Sequence, residues 1–216
     1  MSNSLLLIAL MLLVLAHPFF PAENLAHVVF LVTVSTVLVG AIWAVSRQRR
    51  VLVASLSLAA PTFTAAWLQH FIERRWLTAV YLVLGALFLG FTAVVVLRQT
   101  LEGAAVTTDT IAGAICFYIL LGVIWALIYA LIELTHPGSF LDRGHPVGSA
   151  GHHSLVPELL YLSLVTLSTV GYGDILPITQ QARMLAAVEG IIGPLYLAVL
   201  ITRLVSLASP RPSPSA

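Results

Sequence analysis

The chain has 216 residues, 59% of them hydrophobic and 9% charged, where soluble domains carry about 25% charged residues. Its mean hydropathy of +1.01 excludes an ordinary water-soluble domain. A net charge of +1, with no basic run beyond 47–50, argues against nucleic acid as a partner. The single cysteine, Cys116, leaves no intrachain disulfide and no paired-cysteine zinc site. No nucleophile motif, phosphate loop or clustered acid pair points to an enzyme.

A membrane-spanning helix needs about 20 apolar residues. Runs at 4–20, 25–46, 51–70, 77–97, 111–134 and 182–207 reach that length, the first marginally. The first run lacks the basic start and small-residue cleavage site of a signal peptide, so six spans are expected. Arg47, Arg49, Arg50, Arg98, Arg203 and Arg211 fall on one side of this arrangement, and Arg74, Arg75, Arg143 and Arg183 on the other. The majority predicts both termini in the cytoplasm, with the chain multi-pass in the cell (inner) membrane.

Between the fifth and sixth runs lies a polar loop, 135–156, and then a short apolar stretch, 157–168, with Pro157 suited to a first helical turn. That stretch is too short to span and reads as a re-entrant helix. Irregular backbone at membrane depth is tolerated only where protein buries it or where it lines a water-filled cavity. The segment that follows is Thr169-Val170-Gly171-Tyr172-Gly173-Asp174. Carbonyls alternate in direction along an ordinary strand. Turning successive ones to the same side requires positive φ at alternate positions, which glycine supplies without a Cβ clash. The carbonyls of Thr169, Val170, Gly171 and Tyr172, with the Thr169 hydroxyl, then form a ladder of oxygen ligands. Val170 and Tyr172 are expected to point away and pack against the short helix. A ring of such ladders replaces the hydration shell of a monovalent cation.

The hexapeptide 169–174, set between a re-entrant and a spanning helix, resembles the selectivity filter of the tetrameric pore-loop potassium channels. The order of outer helix, turret, pore helix, filter, Pro177 and inner helix is similar as well. The resemblance implies an all-α membrane protein of bacterial type, with six transmembrane helices and a re-entrant pore helix and filter between helices 5 and 6. A four-helix region, 1–104, precedes a pore module, 105–207. That module comprises outer helix 111–134, turret 135–156, pore helix 157–168, filter 169–174 and inner helix 182–207, with a Pro/Ser tail at 208–216. One filter copy per chain implies a homotetramer, each chain joined by three identical subunits. The implied ion ligands are Thr169, Val170, Gly171, Tyr172 and Gly173, with K+ as the transported ion, the lipid bilayer as solvent and no cofactor.

Other positions follow from the same comparison. Gly193 stands where relatives carry a hinge glycine, and Pro194 removes a helix hydrogen bond beside it, making 192–195 a candidate bend. Tyr161 occupies the place of a tryptophan that bonds the filter aspartate, here Asp174. Leu162 and Val165 replace an aromatic residue and a buried glutamate found in some relatives. Glu189, an intramembrane acid, is a functional candidate by default, either bonded to pore-helix hydroxyls such as Ser163 or Thr166 or facing the cavity. His136, His145, His152 and His153, near Asp142 and Glu158, are candidates for an outer metal or proton site, although their spacing is not diagnostic.

The fourth run, 77–97, contains no arginine or lysine. Voltage sensing needs several membrane charges, each worth about 2.3 kcal/mol per 100 mV, so steep voltage dependence is not expected. The tail is too short to form a cytoplasmic gating domain. Two further readings are a potassium transporter subunit and a non-conducting regulatory protein with a vestigial filter.

Overall fold

The structure, a computed structural model, describes residues 2–16, 36–37, 40, 49–71, 74–102, 106–148 and 155–208. Its helices are α1 (Ser2–Ala16), α2 (Arg49–Phe71), α3 (Arg75–Glu102), α4 (Thr108–Thr135), α5 (Leu155–Leu167) and α6 (Gln180–Ala208). Three short strands, β1 (Phe140–Asp142), β2 (His145–Pro146) and β3 (Ile175–Pro177), complete the described elements. Arg47, most of the expected second run at 25–46, His152, His153 and the tail beyond 208 lie outside the described residues.

Among the described residues, four helices are long and apolar enough to cross a membrane: Val51–Leu68 within α2, Arg75–Glu102, Thr108–Thr135 and Gln180–Leu207. These correspond to four of the six expected runs and make the chain a mainly helical membrane protein. Helices α1 and α5 are apolar but shorter.

Helix α4 is the hub, with α1, α3, α5 and α6 all packing on it. It is apolar on every side, as a helix buried by neighbours must be, and Leu120, Ala126, Tyr129 and Ala130 are fully buried. Thr107 starts it: the Thr107 hydroxyl accepts from the Thr110 amide at 3.2 Å, and Asp109 sits in the first turn. Both features favour a helix N-terminus.

Helix α6 buries only a narrow stripe. Along it, three polar residues fall seven positions apart and each finds a different partner. Glu189 meets α4 and α5, the Tyr196 hydroxyl donates to the Ala114 carbonyl at 2.7 Å, and the Arg203 guanidinium donates to the Leu101 carbonyl at 2.7 Å. The last bond occupies a carbonyl in the final turn of α3, where helices leave acceptors unsatisfied and favour cations. Much of the remaining surface of α6 is exposed in the single chain, including Met184, Ile191, Leu195 and Val199.

The turret, which reads as a polar loop in the sequence, contains an antiparallel hairpin. Its strand β1 also pairs with β3, giving the order β2-β1-β3.

Candidate functional site

The site is built where α5 ends. A helix leaves its last carbonyls without intrahelical partners, and here the following chain supplies the donors. Ser168 N donates to Leu164 O at 3.0 Å and Thr169 N to Thr166 O at 3.0 Å. Val170 N and Gly171 N both donate to Val165 O, at 3.0 and 3.4 Å.

Those bonds determine where the carbonyls point. Among the described residues all peptide bonds are trans, so each C=O is directed opposite to the N–H of the next residue. The amides of 169, 170 and 171 face α5; the carbonyls of 168, 169 and 170 therefore face away from it. Positive φ falls at Thr169 (60°), Gly171 (57°) and Gly173 (79°), the alternation that a one-sided row of carbonyls requires. Thr169 reaches this region without being glycine, a strain that functional sites retain when their surroundings enforce it.

In the single chain Val170 and Tyr172 are 52% and 71% exposed, so much of each side chain is left uncovered.

Asp174 closes the segment. The Tyr161 hydroxyl donates to Asp174 Oδ2 at 2.7 Å, and Ile175 N donates to Oδ1 at 3.1 Å. The Tyr161 bond is the main cause holding the Asp174 carboxyl below its usual range, and the same bond raises the Tyr161 phenol. A carboxylate with a depressed folded pKa keeps its bond above the unfolded value and loses it as pH falls through the folded one. The contact is therefore expected to be intact at neutral pH and to fail only in acid below the ordinary carboxylate range. Tyr161→Phe, removing the hydroxyl, should let the Asp174 carboxyl rise toward its ordinary range; an unmoved Asp174 titration would make the bond idle.

Behind α5, Glu189 is fully buried. Tyr129 and Ser163 donate their hydroxyls to its two oxygens, while the Thr166 hydroxyl instead bonds the Leu162 carbonyl at 2.8 Å. Ser163 also lies 2.9 Å from the Gly122 carbonyl, and its single proton serves one acceptor at a time. Four residues along α6, a Cβ on Gly193 would meet the Leu167 carbonyl oxygen and come within 3.1 Å of the Leu167 Cα. Only glycine allows the inner helix to touch the end of α5 there. Pro194 follows inside a helix that continues unbroken to Ala208. Leu162 is buried, and Val165 contributes the carbonyl that accepts two filter amides.

Glu133 is a further buried side chain beside the site that no motif in the sequence marks. It is buried in the last turn of α4, and its carboxylate accepts from Gly138 N at 2.6 Å and Phe140 N at 2.9 Å. An acid at a helix C-terminus opposes the macrodipole, and that mismatch is the signal that it serves other donors. His136 and His145 are exposed, and no group of three or more metal-ligating side chains occurs among the described residues.

Apolar helices of membrane-spanning length thus flank a loop with alternating left-handed residues and a pinned aspartate. Residues 146–209 match a family model described as "Ion channel". The chain is 32% identical over 97 residues to Protein LctB of Bacillus caldotenax, covering 45% of this chain and 71% of that protein. It is 34% identical over 88 residues to Two-pore potassium channel 4 of Arabidopsis thaliana, covering 41% of this chain and 30% of the relative. Identity to the mouse Potassium voltage-gated channel subfamily A member 5 is 30% over 95 residues, covering 44% of this chain and 14% of the relative. No solved structure matches significantly. The chain belongs to the potassium-channel pore-loop family, a family of ion channels and not a class of enzymes.

Proposed function

We propose that the protein is a homotetrameric, potassium-selective channel that conducts K+ passively and without steep voltage dependence. The observation that carries this reading is the alternation of positive φ at Thr169, Gly171 and Gly173. It supports a ladder in which the carbonyls of Thr169, Val170, Gly171 and Tyr172 take the place of ion hydration, with Gly173 permitting the last turn. One ladder covers one side of an ion, so four chains are needed to enclose it. The exposed apolar face of α6 and the exposed Val170 and Tyr172 are surfaces that neighbouring copies would cover.

In this arrangement six helices span the cell membrane with both termini cytoplasmic. Helix α5 is re-entrant, residues 1–104 form a region distinct from the pore module 105–207, and Glu189 is a packing acid. Helix α3 carries Arg75 at its start and Arg98 and Glu102 near its end, with no charge between; a displacement of this helix therefore moves little charge through the field. Bilayer recordings of the purified protein test the reading, together with its mass in detergent. They should show a tetramer, a reversal potential that follows K+, and an open probability that changes little from about −100 to +100 mV. Saturable transport coupled to a second ion would favour a transporter subunit; an assembled but silent protein would favour a vestigial filter.

A further inference from the structure

The outer end of the filter is held by more than the Tyr161 bond. Strand β1 sets Phe140 opposite Pro177, Leu141 opposite Leu176 and Asp142 opposite Ile175. The pairing continues past both ends of the strands: Arg143 N donates to the Asp174 carbonyl at 2.9 Å, and Ile178 N donates to the Ser139 carbonyl at 2.8 Å. The chain leaving the filter is thereby fixed as one edge of a three-stranded sheet.

A lone hairpin is marginal in water, but this one is anchored to the outer helix. Glu133 caps the Gly138 and Phe140 amides, and the buried Phe140 ring lies 5.1 Å from that of Tyr129. The tip is a two-residue turn with positive φ at both Arg143 (46°) and Gly144 (90°), the geometry that matches strand twist in tight hairpins. Asn or Asp with Gly is the usual choice there, and a non-glycine residue with positive φ is uncommon. Arg143 holds that conformation while its amide is spent on the carbonyl of the filter aspartate.

We propose that the turret hairpin is a second cuff of the filter, in which the Arg143 amide and the β1–β3 pairing hold the Asp174 carbonyl and so keep the outermost rungs at conducting width. Arg143 acts here through its backbone as a positioning residue. Tyr161 holds the Asp174 side chain and the hairpin holds its backbone, so the two supports are independent. The inference rests on the channel reading above.

Two alterations test it in the reconstituted full chain. Replacing the Arg143 amide by an ester removes the donor and leaves every side chain in place. Gly144→Val forces a β-branched residue into the left-handed tip. Each should make current decay roughly threefold to tenfold faster in low external K+. High external K+ should restore the parent's rate, because an ion in the outermost site props the ladder open. Decay and its K+ dependence matching the parent's in the ester protein would overturn the cuff, even if Gly144→Val fails to assemble. So would a loss of assembled protein with unaltered decay in what remains, which marks a purely structural hairpin. Absence of K+ current from the parent protein would overturn the channel reading itself, and the cuff with it.

Discussion

Gly171→Ala and Gly173→Ala proteins are expected to assemble yet lose selective K+ conduction. The two glycines sit at φ of 57° and 79°, and an added Cβ would meet nothing within 4 Å in the single chain. The penalty is therefore one of backbone conformation. A left-handed L-residue costs about 1–2 kcal/mol, and in the proposed tetramer four subunits would multiply that to about 4–8 kcal/mol against the proposed ladder. Relief comes by rotating a peptide, which turns a carbonyl out of the row. Each of the two substitutions should abolish K+ flux or admit Na+, with the tetramer's yield unchanged. Selective flux at the parent's level in either variant would show that the left-handed conformation is not what builds the site.

Glu189→Leu is the second large effect, and its signature is different. The carboxylate joins α6 to α4 through Tyr129 and to α5 through Ser163. Ser163 retains the Gly122 carbonyl as an acceptor, but the buried Tyr129 hydroxyl loses its partner. A buried group left unsatisfied costs about 1–3 kcal/mol, again once per subunit. We expect a lower yield of assembled protein and a lower melting temperature, with K+ selectivity retained in what assembles. Glu189→Gln keeps an acceptor and should be far milder. If Glu189→Gln instead alters conductance or block by internal cations while stability holds, the acid faces the conduction path.

The left-handed backbone at Gly171 and Gly173 was legible because its chemistry is local. Glycines at alternate positions, a threonine below and an aspartate above state a backbone requirement that no distant contact changes, and the structure places positive φ at 169, 171 and 173. The long helices were legible for a related reason: lipid demands a minimum apolar length, and runs can be measured against it. The Tyr161–Asp174 bond, in contrast, was reachable only by likeness to a family. What stayed hidden depends on contacts between elements far apart in sequence. The turret hairpin has only Gly138, Gly144 and a few alternating residues to declare it, and its pairing with β3 spans more of the chain than periodicity reports. Glu133 and Arg203 look like ordinary polar ends of helices until the Gly138 amide and the Leu101 carbonyl are seen beside them. Gly193 invites a hinge reading from its position, whereas the contact with Leu167 supplies a packing reason that no sequence pattern contains. The heptad spacing of Glu189, Tyr196 and Arg203 was present in the sequence as a sparse polar stripe on an apolar helix.

The most direct measurement is ion flux from liposomes containing only the purified protein, with K+ and Na+ tested in turn and Gly173→Ala as the control. K+ flux down its gradient is expected, with Na+ excluded and this selectivity lost in the control. Equal passage of K+ and Na+ by the parent protein, or none of either, would contradict the channel reading.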